Sequence, residues 1–176
     1  MIKINRALLQ DMDYIITTSY SFISDLIRYK TSGKFFDQKI GTHAGIIFRD
    51  GKDFSVGEMM PRGLEKNPLS SYEQKGFLKS HAVCILRNPI YNDQNLRLDA
   101  TTRLIDDIKI GIDYDYKGIA EYIIPQIKDK DSIFYCSELI AHYSLEDGYP
   151  LCDNPKEDDI TPYGLQINKR LNKIWI

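Results

Sequence analysis

The stretch FYCSELI, residues 134–140, places a cysteine where a helical pattern begins. Cys136 shares a predicted helical stripe with three apolar residues, Leu139, Ile140 and Tyr143. Near a helix N-terminus, unpaired backbone N–H groups and the helix dipole favour a thiolate, which is the nucleophilic form of cysteine. A free cysteine is also among the most buried residue types. A reactive thiol and a small core residue are therefore the two interpretations of Cys136.

A nucleophilic thiol needs a base, and the chain has three histidines. His142 follows Cys136 by six residues, which rotates it about 120° round the helix, so the two side chains cannot meet. His81 opens the apolar strand HAVCILR and is predicted to lie at the edge of the core. His43 opens the segment THAGIIFRDGKDFSVGE, whose pattern predicts a β-hairpin. His43 is therefore the preferred base, with His81 as the second choice.

The predicted hairpin also supplies a carboxylate. If the Asp-Gly pair at 50–51 forms a type I′ turn, Arg49 pairs with Lys52 and His43 lies directly opposite Glu58. Side chains in such a pair are about 5 Å apart at Cβ. Glu58 could then hold the tautomer of His43 while His43 takes the proton of the thiol, as in a catalytic triad. Spacing alone leaves a surface His–Glu pair with an unrelated core cysteine as an equal alternative.

The hydrophobic pattern predicts the elements that would position these residues. Strands are predicted at 13–18, at 80–87 and in the C-terminal tail KRLNKIWI, together with the hairpin at 43–59; helices are predicted at 20–31, 96–110, 117–124 and 134–146. Strands in the middle of the chain with helices on both sides predict an α+β fold, in which helices pack on one antiparallel sheet.

Composition restricts the classes of function. The chain has 176 residues with 43% hydrophobic content, which fits one domain over residues 1–176. Its net charge of −2, without a basic run, argues against nucleic acid as a partner. The sequence shows no signal peptide and no membrane-spanning segment, so we expect a cytoplasmic protein, with a phage origin or non-classical export as the alternatives.

Motifs for cofactors are missing from the sequence. The three cysteines, Cys84, Cys136 and Cys152, form neither a disulfide framework nor a zinc knuckle. DYDYKG lacks the later ligands of a calcium loop, and SGK at 32–34 lacks the rest of a phosphate loop. We therefore expect no cofactor and no metal.

A resemblance to a known family rests on several of these segments. The opening DYIITTSYSFISDLIR, then THAGII, VGEMMPRGLEKNPLSSY, DYDYKG, FYCSELI and ITPYGL are similar to the YiiX-like proteins, circularly permuted relatives of the NlpC-type cell-wall peptidases within the papain-like superfamily. The resemblance runs from about residue 12 to residue 167. THAG followed by FYCSEL is its most specific part.

The resemblance implies a permuted papain-like fold, with a central antiparallel sheet and a nucleophile helix packed against it. It implies a cysteine amidase or peptidase that hydrolyses amide or related acyl bonds with Cys136, His43 and Glu58 as the triad. We expect the backbone N–H of Cys136 to act as oxyanion donor. Four further residues are expected in the substrate or oxyanion pocket: Tyr114, Tyr116, Tyr135 and Ser137.

The family leaves the substrate open. A small molecule, a peptidoglycan peptide and a lipid acyl group are all compatible with the resemblance. Two other functions also remain: an acyltransferase or thioesterase that uses the same thioester intermediate, and an inactive binding or structural module that keeps a relic of the site. The oligomeric state is not predicted.

Overall fold

Six strands form one antiparallel sheet at the centre of the computed structural model, which describes residues 3–19, 22–60, 62–73, 80–112, 136–153 and 160–175. The strand order is β4-β3-β2-β1-β5-β6. The strands are β1 Asp13–Thr18, β2 His43–Asp50, β3 Asp53–Met60, β4 Gly63–Pro68, β5 His81–Arg87 and β6 Asn172–Trp175. The expected α+β fold with one antiparallel sheet is confirmed.

Four α-helices accompany the sheet in the described ranges: α1 Phe22–Ser32, α2 Gln94–Ile110, α3 Cys136–Glu146 and α4 Pro162–Ile167. Helix α2 shows how local sequence sets the ends. The Asp93 side chain accepts hydrogen bonds from the N–H groups of Asn95 and Leu96, and the helix stops at Gly111, which adopts a left-handed φ of 77°. Three short 3₁₀ helices lie at Arg6–Leu8, Leu69–Glu73 and Pro89–Asn92.

Each face of the sheet is covered by its own apolar cluster, because successive strand residues alternate between the two faces. On one face α2 and α3 pack over strand residues such as Tyr14, Ala44, Ile46 and Met59. On the other face the N-terminal segment and the 3₁₀ helix Leu69–Glu73 cover Ile15, Ile47, Phe54 and Val56. Helix α3 lies mainly against β2 and β3, the two strands of the predicted hairpin. None of the helices in the described ranges is long and apolar enough to cross a membrane.

Most predicted elements are confirmed, and two were missed. The structure contains the strands predicted near 13–18, 80–87 and the tail, and it extends the helix predicted at 96–110 by two residues. Strand β4 and helix α4 had not been predicted; their sequences, GLEKNP and PYGLQI, carry too little periodic hydrophobicity. The helix predicted at 117–124 lies outside the described residues.

The turn of the β2–β3 hairpin differs from the prediction. Asp50 pairs with Asp53, so the two-residue loop is Gly51–Lys52. Gly51 has a φ of 64°, which fits a type II′ turn with glycine at its first central position. Asp50 remains in β2, where its carboxylate accepts a hydrogen bond from Ser55 Oγ at 3.0 Å and pairs with Lys66 Nζ at 2.9 Å. These contacts explain why Asp50 does not enter the turn.

The predicted pairings along the hairpin were therefore wrong. Arg49 pairs with Phe54 rather than with Lys52, and the same register, continued along β2, places Gly45 across from Glu58. His43 is thus not directly opposite Glu58. A shift of two residues nevertheless keeps side chains on the same face of a sheet, since the pleat repeats every two residues. His43 and Glu58 are diagonal neighbours on one face.

Candidate active site

Three elements meet at one end of the neighbouring strands β2 and β3. Strand β2 begins at His43, and the antiparallel strand β3 ends two residues after Glu58, so both residues lie at the same end of the hairpin. Helix α3 begins at Cys136 and packs against these two strands. The first turn of a helix therefore lies beside the start of a strand that carries a histidine.

His43 and Glu58 form a direct hydrogen bond across the hairpin. The distance between His43 Nε2 and Glu58 Oε2 is 2.6 Å. Gly45 allows this diagonal contact, because a Cβ at this position would lie 3.2 Å from Glu58 Cβ and 2.5 Å from Val56 Cγ1. The glycine in THAG therefore leaves the space through which Glu58 reaches the imidazole.

Cys136 interacts with the same imidazole. A side-chain hydrogen bond links Cys136 to the His43 ring and contributes to the raised pKa of His43. Because Nε2 is bound to Glu58, Nδ1 is the ring nitrogen that remains for Cys136. Cys136 is 6% exposed and the His43 side chain is 23% exposed, so the imidazole is the more accessible of the two groups.

The charges of the site favour a protonated His43. Burial lowers the pKa of His43, but its hydrogen bonds and charge interactions with Cys136 and Glu58 outweigh this effect and raise the pKa well above its ordinary value. The structure thus supports an imidazolium at His43. In general, a protonated imidazole beside a cysteine favours the thiolate, which is the reactive form of a cysteine nucleophile.

Two residues of the site were missed by the sequence interpretation. Glu58 is only 3% exposed, and besides His43 it receives hydrogen bonds from Asn67 Nδ2, at 2.8 Å, and from the hydroxyl of Tyr72. Asn67 lies on β4, which had not been predicted, and Tyr72 lies on the 3₁₀ helix that follows it. The available signal was the segment NPLSSY itself, in which an amide and a tyrosine follow the hairpin closely.

The expected pocket residues have different outcomes. Ser137 is fully buried, and its Oγ has no hydrogen-bond partner among the described residues. Its side chain therefore does not line an open pocket. Tyr114, Tyr116 and Tyr135 lie outside the described residues, so their place in the pocket stays a prediction.

The other thiols and histidines lie in different surroundings. Burial raises the pKa of Cys84, on β5, to about 11, an effect that Lys173 partly offsets. Cys152 is half-buried beyond the end of α3. His81 pairs with Thr18 and belongs to a strand separated from β2 by β1. His142 lies 3.2 Å from Glu146 on the same helix. The described structure therefore brings Cys136 and His43 together.

This arrangement of sheet and helices is a YiiX-like fold. The chain superposes on the crystal structure of the metalloprotein YiiX from Escherichia coli O157:H7, DUF1105, with a TM-score of 0.62 and 17% sequence identity, covering 93% of this chain and 95% of that chain. No family model matches the sequence, and no curated protein matches it. The similarity defines the fold.

YiiX is named as a metalloprotein, and a metal ion in this chain would require a group of suitable ligand side chains. In the described parts of the chain, no group of three or more His, Cys, Asp or Glu side chains is arranged to hold a metal. At the candidate site, His43 Nε2 and both oxygens of Glu58 already have hydrogen-bond partners. These side chains fit a hydrogen-bonded triad better than a set of metal ligands.

Proposed function

We propose that this protein is a cysteine hydrolase that cleaves an amide or related acyl bond. The observation that carries the proposal is the His43 imidazole, which is held by Glu58 through Nε2 and lies beside the Cys136 thiol at the start of α3. Nucleophile, base and orienting carboxylate occur in this geometry in unrelated cysteine and serine hydrolases. Neither a core cysteine nor a surface His–Glu pair requires the three groups to meet.

The geometry supports a two-step reaction. The Cys136 thiolate attacks the carbonyl carbon of the substrate, and the negative charge that develops on the carbonyl oxygen is stabilised by the N–H of Cys136. The imidazolium of His43 gives its proton to the leaving amine or alcohol as the bond to the acyl carbon breaks. A thioester on Cys136 remains.

Water completes the cycle. His43 takes a proton from a water molecule, the resulting hydroxide attacks the thioester, and the acid product leaves as the Cys136 thiolate and protonated His43 are restored. Throughout both steps Glu58 stays ionised and stabilises the imidazolium. If an amine or alcohol replaced water in this step, the same site would transfer the acyl group instead of hydrolysing it.

A substrate screen tests the proposed function. The purified protein is incubated with peptidoglycan peptides, lipid amides, lipid esters and activated p-nitrophenyl esters, and the products and the mass of the intact protein are measured. We expect product release, with one acyl group transiently attached to the peptide that contains Cys136. Failure of every substrate and activated ester to acylate Cys136 would refute the hydrolase and favour a binding module.

Glu58→Gln should reduce turnover without abolishing it. The amide keeps an oxygen near His43 Nε2 but loses the negative charge that stabilises the imidazolium. The loss of kcat/KM is measured with the best substrate of the screen. We expect the loss in Glu58→Gln to be about 10²-fold smaller than the loss in Cys136→Ala.

Glu65→Gln is the matched control for this variant. Glu65 lies directly across from Glu58 on β4 and is half-buried, so the variant removes a neighbouring carboxylate that does not bind His43. Its kcat/KM should equal that of the wild type. Complete loss of activity in Glu58→Gln would contradict a purely orienting role, because Glu58 would then take part in the chemistry itself.

A further inference from the structure

The two carboxylate oxygens of Glu58 accept hydrogen bonds from different residues. Oε2 accepts the hydrogen bond from His43, whereas Oε1 accepts hydrogen bonds from Asn67 Nδ2 and from the Tyr72 hydroxyl. The carboxylate is therefore fixed at both ends. With one oxygen occupied by two donors, it cannot rotate away from the imidazole without breaking them.

The two donors come from one short segment that is itself anchored. Strand β4 ends at Pro68, and the 3₁₀ helix Leu69–Glu73 follows directly, so Asn67 and Tyr72 are held by consecutive elements. Tyr72 is 5% exposed and belongs to the apolar cluster on its face of the sheet. At the end of the 3₁₀ helix, Glu73 accepts a hydrogen bond from the N–H of Ile4 at 2.7 Å and pairs with Arg6.

The two donors also lower the pKa of Glu58. Burial raises the pKa of Glu58, but the contacts with His43, followed by the hydrogen bonds from Tyr72 and Asn67, bring it below its ordinary value. The pKa of Tyr72 is raised by burial and by the charge of Glu58, so its hydroxyl keeps its proton and remains a donor. A buried carboxylate without such partners would take up a proton at higher pH.

We propose that Tyr72 and Asn67 are positioning residues that keep Glu58 ionised and aligned on Nε2 of His43. They act through Glu58 and do not touch the reacting atoms. Their catalytic importance rests on the proposed hydrolase function, whereas their effect on the ionisation of Glu58 does not. The two parts can therefore be tested separately.

The titration of Glu58 tests the first part. Loss of a hydrogen bond to the charged form raises a carboxyl pKa, so Tyr72→Phe should move the Glu58 midpoint upward by about one pH unit. The midpoint is read from the side-chain carboxyl ¹³C signal by NMR, assigned by comparison with Glu58→Gln. Asn67→Leu should shift the midpoint in the same direction, and the double variant should shift it further.

Tyr91→Phe is the matched control. Tyr91 is as buried as Tyr72, and its hydroxyl donates to a different carboxylate, Asp147 Oδ2, at 2.7 Å. Tyr91→Phe should leave the Glu58 titration unchanged, even if it lowers thermal stability as much as Tyr72→Phe does. An unshifted midpoint in Tyr72→Phe, or an equal shift in both variants, would overturn the proposal.

The kinetics of the same variants test the catalytic part. Because Tyr72 does not contact the substrate, Tyr72→Phe should lower kcat about tenfold with KM unchanged, and it should move the acidic limb of the pH profile upward with the Glu58 midpoint. A changed KM with an unmoved acidic limb would contradict positioning. If the wild type has no turnover, the proposed function fails, and the Glu58 titration still decides the first part.

Discussion

Cys136→Ala should abolish acyl-enzyme formation and lower turnover by at least about 10⁴-fold, because Cys136 is the thiol that is hydrogen-bonded to His43. Without the thiol, the carbonyl carbon has no nucleophile, and the thioester cannot form. The measurement is the burst of p-nitrophenol from an activated ester, combined with the mass of the intact protein. We expect neither a burst nor an acyl adduct in this variant.

Cys152→Ala and Cys84→Ala are the controls for this prediction. Cys84 lies on β5 and Cys152 lies beyond the end of α3, so both variants remove a thiol outside the first turn of α3. Both should retain the burst and the adduct. An adduct that persists in Cys136→Ala and disappears in Cys152→Ala would identify Cys152 as the nucleophile and contradict the prediction.

His43→Ala should lower kcat by between about 10²- and 10⁴-fold, the usual contribution of general acid–base catalysis. The contacts with Cys136 and Glu58 raise the pKa of His43 well above its ordinary value despite burial, so the ring is protonated at neutral pH. Removing the ring also removes the proton for the leaving group. The loss should be largest at acidic pH and smaller above pH 9, where hydroxide ionises thiols without help.

His81→Ala and His142→Ala provide the comparison for the base. His81 lies at the same end of the sheet but on β5, and His142 lies on the nucleophile helix beside Glu146. Neither variant should change the pH profile. A loss in His81→Ala equal to that in His43→Ala would show that the second choice of the sequence interpretation is the true base.

The pairing of His43 with Glu58 illustrates how far the sequence could predict the site. The predicted loop and the observed loop both contain two residues, so the register moved by two positions and both residues stayed on one face of the hairpin. The position of the turn was not predicted. The carboxylate of Asp50, at the end of β2, accepts a hydrogen bond from Ser55 and pairs with Lys66, and a dipeptide preference contains neither contact.

The hydrogen-bond donors around Glu58 could not be predicted from the sequence, for a different reason. A single buried carboxylate needs hydrogen-bond partners, so donors had to exist near Glu58 once its burial was known. Burial of Glu58 follows from the packing of the 3₁₀ helix Leu69–Glu73 on the sheet, and short 3₁₀ segments leave no periodic pattern. Asn67 and Tyr72 were therefore identified as partners of Glu58 only from the structure.

The central claim is that His43 and the start of α3 make Cys136 a reactive thiolate, and iodoacetamide labelling tests it most directly. Mass spectrometry gives the alkylation rate of each cysteine at pH 6 and at pH 9, and the ratio of the two rates reports ionisation independently of access. An ordinary free thiol, with a pKa of about 8.5, is almost wholly protonated at pH 6, so its ratio falls to about 4 × 10⁻³.

For Cys136 we expect a ratio close to one in the wild type and a ratio like that of Cys152 in His43→Ala. The thiolate–imidazolium pair would keep Cys136 charged at pH 6, and its loss would return the residue to ordinary thiol chemistry. Equal ratios for Cys136 and Cys152 in the wild type, unchanged by His43→Ala, would contradict the account and identify Cys136 as a residue of the core.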